Sequence, residues 1–152
     1  MDLTIFLKNL PAFEEFAAPH IETLANKLVI EDFTDGDTLI TQGSQGHALY
    51  LLLQGAVRLI RHDTPGGEEH EVRELNDGEM FGMLSLIDNL PASATCIAKG
   101  KAQAAALTRE AFQSLFIDAP PVGRHLQYMV AVQMAREIQD ENKRFRISLV
   151  KA

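Results

Sequence analysis

From Leu28 to about Leu107 the chain is interrupted every few residues by Gly, Pro, Asn or Asp, and this spacing limits the fold more than any other feature. The intervals hold short β-rich runs: "LVIEDF", "DTLITQ", "HALYLLLQ", "AVRLIRH", "EHEVREL", "TCIA" and "AQAAAL". Short strands bounded by turn residues at such intervals predict a sandwich or jelly roll. "DTPGGEE", residues 63–69, reads as a Gly-Gly hairpin loop. In "AVRLIRH", Val57, Leu59 and Arg61 share one face and Ala56, Arg58, Ile60 and His62 the other. That alternation is weaker than a half-exposed strand would give. The expectation is an antiparallel β-roll, jelly-roll-like (a double-stranded β-helix), of about eight strands over residues 28–107.

On both sides the period becomes helical. Residues 1–27 read as helical pieces broken by Pro11 and Pro19, with Ile21, Leu24, Ala25 and Leu28 on one face. Residues 108–152 read as two helices. Thr108 suits an N-cap, Glu110 suits the first turn, and Phe112, Leu115 and Phe116 supply the apolar face of the first. Pro120 and Pro121 end that helix and open the next. From Val122 to about Leu149 there is no Pro, and no Gly after Gly123. Leu126, Val130, Met134 and Ile138 form one stripe, resumed by Phe145 and Leu149. At 1.5 Å per residue this helix runs roughly 40 Å, longer than a small β domain needs. The excess predicts a second copy packed along it, a homodimer; the alternative is a solvated tail, since "REIQDENKR" is very polar.

With 152 residues, 46% of them hydrophobic, the chain suits one domain over 1–152. A net charge of −7 repels nucleic-acid phosphates. The one cysteine, Cys96, excludes an internal disulfide, reads as a small buried hydrophobe and fits a reducing cytoplasm. "MDLTIFLKNLPAF" is not a signal peptide, and no apolar run nears the roughly 20 residues of a membrane span. His20, His47, His62, His70 and His125 lie far apart, so no metal site is expected. Arg58, Arg61 and Arg73 sit among Glu68, Glu69, Glu71 and Glu74 and read as a solvated hairpin. There is no nucleophile elbow, P-loop or metal-spaced cluster, so a non-enzymatic role is expected, with an enzyme the remote alternative.

"FGMLSLIDNLPASAT", residues 81–95, carries the functional signal. Gly82 opens a short helical turn whose first N–H groups lack intrahelical partners and favour an anion. Yet the stretch has no cation, and its one charge is Asp88. Together with "FTDGDTLITQGSQGHALYLLLQGAVRLI", residues 33–60, and with the helices that follow, it resembles the cyclic nucleotide-binding domain family, the sensor domain of catabolite activator-like regulators. "ELNDGEMFGMLSLIDNLPASATCIA", residues 74–98, is similar to that family's phosphate-binding cassette without a gap. The resemblance implies a ligand site at Phe81, Gly82, Met83, Leu84, Ser85, Ala92, Ser93 and Ala94. In the family a glutamate after the Phe-Gly holds the ribose hydroxyl and an arginine after the proline pairs with the cyclic phosphate. Here those positions are Met83 and Ala92. Ser93 still offers a hydroxyl, although a capping or core role is the other reading, as a packed turn is for "FGMLSL". Each charged hydrogen bond is worth roughly 1.5–3 kcal/mol, so losing two removes about 10²- to 10⁴-fold in affinity.

The expected function is a regulatory or sensor module with a degenerate cassette, binding cyclic AMP weakly or not at all and signalling to a protein partner as yet unknown. No cofactor is implied beyond a small-molecule or cyclic nucleotide ligand. Two alternatives stay open. One is a cyclic nucleotide regulator with non-standard contacts, with Arg124 or Arg136 of the long helix supplying the missing charge. The other is the sensor part of a catabolite activator-like transcription regulator. The 31 residues after Pro121 are all taken by the long helix, so no DNA binding is expected of residues 1–152.

Overall fold

The computed structural model describes residues 2–63, 66–87 and 90–151, and of residues 141 and 144–151 the backbone alone. Asp88 and the side chains of Phe145 and Leu149, which the sequence reading used, therefore fall outside the described residues. Two helices come first, α1 (Leu3–Lys8) and α2 (Ala18–Lys27). Pro19 does not break a helix, as the sequence reading expected; it stands in the first turn of α2, where its missing N–H has no intrahelical partner to lose. Six strands follow: β1 (Val29–Phe33), β2 (Thr38–Ile40), β3 (Ala48–His62), β4 (Glu69–Leu75), β5 (Met80–Phe81) and β6 (Thr95–Thr108). The chain closes with α3 (Arg109–Asp118) and α4 (Pro120–Lys151). Thr108 caps α3 as expected, its hydroxyl accepting the Ala111 N–H at 3.1 Å.

The strands form an antiparallel sheet in the order β1-β6-β3-β4, with β2 added to β6 and β5 to β3. About eight strands were expected and six are found among the described residues. The runs "HALYLLLQ" and "AVRLIRH" are one strand, β3, and "TCIA" and "AQAAAL" are one strand, β6. The ladder joining them slips register between Leu52 and Gln54 and again between Gln54 and Ala56, across Gly55, and Gly100 lies in the facing stretch of β6. Gly55 holds a φ of 107°, and a Cβ there would stand 2.5 Å from the Lys101 carbonyl oxygen. The bend therefore needs a residue without a side chain. Each long strand turns a corner without losing its partner. The first half of β3 pairs with β5 and the second half with β4, while β2 and β1 take opposite halves of β6. That is the β-roll.

β3 buries both faces, which explains its weak alternation. Leu49, Leu51 and Leu53 join the apolar layer under the helices, with Ile21, Leu24, Phe112, Leu115 and Val122. Leu52 and Val57 point into the roll with Ile40, Leu75, Phe81 and Cys96. The expected stripe of α4 divides. Leu126 and Val130 are buried in the chain's own core, whereas Met134 is 36% and Ile138 60% exposed. α4 has 32 residues, roughly 48 Å of helix, and outreaches the roll it packs on.

The corner generates a comparison between its two glycines. Gly55→Ala should cost roughly 2–5 kcal/mol, combining backbone strain with the clash. Gly100→Ala, at a φ of 70° but with nothing within 4 Å, should cost only about 1–2 kcal/mol. Urea unfolding of the two variants checks the order; equal losses would contradict the account of the corner.

Candidate functional site

β5 delivers the cassette. Phe81 is buried and stacks on Tyr50 of β3, ring centroids 5.3 Å apart. The chain then reverses at Gly82, φ 75°, where a Cβ would meet the Ile40 side chain at 2.7 Å. A single 3₁₀ turn, Met83–Leu86, follows, closed by Ser85 N–H donating to Gly82 O at 3.0 Å. Leu86 is buried under the helices, and Met83 packs against the same layer. The opposite wall is residues 91–94. Ala92 donates its N–H to Ser44 O at 2.9 Å and accepts from Gly43 N–H at 2.8 Å, so this wall is pinned to the turn before β3. That Ala92 N–H is therefore not open to an anion.

Between these walls and α4 lies a cavity of about 820 Å³, within the size range of small-molecule sites. All eight expected residues, Phe81, Gly82, Met83, Leu84, Ser85, Ala92, Ser93 and Ala94, line it. Met83 and Ala92 thus face the same space, and neither brings a charge. β3 and β4 contribute Leu59, Arg61 and Arg73, and α4 contributes Gln133, Arg136 and Glu137.

Arg61 corrects the sequence reading. It is not part of a solvated hairpin but 8% exposed and turned into the cavity. Its Nε donates to Ser93 O at 3.1 Å and its Nη2 to Glu137 Oε2 at 3.2 Å. The other Glu137 oxygen accepts from Ser93 Oγ at 3.1 Å and from Gln133 Nε2 at 3.1 Å. One carboxylate from α4 is therefore held by β3, by the cassette and by its own helix. Arg58 keeps the expected solvated role, paired with Glu71 at 2.9 Å, and Arg73 pairs with Glu79 at 2.7 Å. Of the two helix arginines considered for the missing charge, Arg136 lines the cavity from an exposed position and Arg124 does not line it.

Arg61 was legible in principle: it shares a face with Val57 and Leu59, and both of those are inward. Glu137 and Gln133 carried no such signal, since they lie i, i+4 beside the apolar stripe, where the helical period does not separate solvent from a cavity. Among the described residues no group of His, Cys, Asp and Glu could hold a metal ion, and no helix is long and apolar enough to cross a membrane. Cys96 is a buried wall of the cavity, and burial pushes its thiol up to about 12.

The model of the cyclic nucleotide-binding domain matches residues 30–118. The chain is 36% identical to the cAMP-dependent protein kinase regulatory subunit of Blastocladiella emersonii, over 72% of this chain and 27% of that one. It is 32% identical to the Cyclic AMP receptor protein of Thermus thermophilus, over 82% and 57%. It thus spans from about a quarter to somewhat over half of these relatives' lengths. Among solved structures it is similar to the regulatory domain of Toxoplasma gondii PKA with cAMP, with a TM-score of 0.76, 29% identity and coverage of 89% and 49%. It is also similar to the regulatory subunit of a cAMP-independent protein kinase A from Trypanosoma cruzi bound to guanosine, with a TM-score of 0.68, 26% identity and coverage of 88% and 48%.

The raised Cys96 thiol generates a reactivity prediction. In the folded protein at about pH 8 it should resist a disulfide reagent such as DTNB and react only on unfolding. A folded-state value above the unfolded one stabilises the fold fully below about pH 8.5, and this contribution is lost as pH rises toward the folded value. Stoichiometric labelling of the native chain within minutes would contradict the burial.

Proposed function

The chain belongs to the cyclic nucleotide-binding domain family, and from that premise we propose that residues 1–152 form a single, non-enzymatic regulatory domain of the cytoplasm that binds cyclic AMP weakly or not at all. One observation carries this reading. Met83 and Ala92 line the cavity at the two positions where the family resemblance places charged contacts, and an acidic side chain, Glu137, stands in the same cavity. A cyclic phosphate entering there loses its water, and the buried cation it meets, Arg61, is already paired with Glu137; a buried charge left unpaired costs several kcal/mol. The domain signals through α4, which the contacts of Glu137 with Arg61 and Ser93 tie to the cavity wall. Its output goes to a protein partner.

A second reading is favoured by the balance of charge. Arg61, Arg73 and Arg136 face Glu79, Glu137 and Asp140 around one cavity, so a neutral ligand needs no added countercharge. A similar protein bound to guanosine supports a nucleoside in that role.

Dimerisation belongs to the same proposal. Leu126 and Val130 are occupied by the chain's own core, which leaves Met134, Ile138 and the exposed Tyr128 for a second copy. Light scattering should then report about twice the 16.8 kDa chain mass. Met134→Glu with Ile138→Glu should halve it, because charges at both sites desolvate badly in a helix seam. A monomeric wild-type chain at high micromolar concentration would overturn this part.

Calorimetry tests the site. The wild-type chain should show no saturable cyclic AMP binding below about 100 μM, given the contacts it lacks. Met83→Glu with Ala92→Arg should restore measurable affinity, and either substitution alone should restore less, because both act on one ligand. Guanosine titrated in parallel separates the two readings. Tight wild-type binding of cyclic AMP would refute the proposal.

A further inference from the structure

Arg61 is the most buried charge of the cavity, and it is already satisfied by an anion that the chain itself supplies. The Glu137 carboxylate takes one guanidinium N–H, the Ser93 hydroxyl and the Gln133 amide. These are the donor types that a phosphate or carboxylate ligand would seek. The Arg61 and Glu137 side chains are 10% and 20% exposed, so water screens the pair little. Ser93 stands in the cassette and Arg61 outside it, which places an anion-binding cation on β3 rather than at position 92.

We propose that Arg61 is the cation that receives the anionic group of a ligand in this cavity, and that Glu137 is a resident competitor for it, an internal anion that must leave Arg61 and Ser93 before a ligand anion can bind. The inference rests on the reading of this cavity as a ligand site with low cyclic AMP affinity, and it gives that low affinity a second cause beside Met83 and Ala92. The ligand class is a small molecule with one anionic group, phosphate or carboxylate, able to reach Arg61 and the Ser93 hydroxyl together. Exchange of one anion for another leaves the guanidinium paired in both end states. It also frees Glu137, and with it the α4 turn that carries Gln133 and Glu137.

Calorimetry with cyclic AMP and with adenosine, which has the same base and sugar and no phosphate, tests this on the full chain. Glu137→Gln, which keeps the shape and removes the charge, should tighten cyclic AMP at least about tenfold and leave adenosine unchanged. Adding Arg61→Met should abolish that gain. Tight cyclic AMP binding by the wild-type chain would refute the weak-binding reading itself. Weak wild-type binding with no gain in Glu137→Gln would leave that reading intact and overturn the competitor. A gain that survives Arg61→Met would overturn the assignment of the cation. Should Glu137→Gln fail to fold, NMR on the wild-type chain decides. At about 10 mM cyclic AMP the Arg61 Nε–H and Glu137 carboxyl resonances should shift together; unmoved resonances overturn the proposal.

Discussion

A guanidinium cannot be taken out of water without an acceptor for its charge, and Arg61 is nearly out of water. The rest of the site follows from how that demand is met. The Ser93 carbonyl satisfies one N–H from the cassette, and Glu137 satisfies another from α4. β3, the cassette and the long helix are thereby joined at one point. Breaking such a pair from one side leaves a buried charge alone, at about 3–5 kcal/mol, whereas replacing both partners by apolar groups is often neutral. The pair therefore specifies where α4 lies more than it adds to total stability.

The scaffold brings these residues together through its corner. Because β3 bends at Gly55 without ending, its first half supports Phe81 through β5 and Tyr50, and its second half carries Arg61 into the same cavity. Two separate strands would leave the register between the cassette and Arg61 to a loop. The Gly82 reversal does the complementary task. It turns Met83–Leu86 back under α4, where Leu86 is buried, so the cassette is anchored by apolar packing with no ligand needed to hold it.

Turn residues and changes of period made the roll, its flanking helices and the Thr108 cap legible in the sequence, whereas the eight cassette positions came from the family resemblance. The former are local signals, or signals that repeat at a fixed spacing. The strand count was not legible, because a glycine that bends a paired strand and a glycine that ends one look alike. Pro19 was misplaced for a similar reason: the same ring interrupts a helix interior or opens a first turn. The Arg61–Glu137 pair was hidden more deeply. The two residues are far apart in the chain, each sits among charged neighbours, and what distinguishes them is burial, which arises only when β3, residues 91–94 and α4 meet. The helix stripe was read as one surface and is two, since Leu126 and Val130 fall above the roll and Met134 and Ile138 beyond it.

The central claim is that Arg61 and Glu137 form a buried, mutually dependent pair that fixes α4 over the cassette. A double-mutant cycle measures it directly: urea unfolding of the wild-type chain, Arg61→Met, Glu137→Gln and the two combined. The account predicts that each single substitution destabilises the fold, that the combination costs less than their sum, and that the coupling is about 1–3 kcal/mol. Additive losses, with coupling within about 0.5 kcal/mol of zero, would show that the two side chains do not depend on one another and would contradict the account.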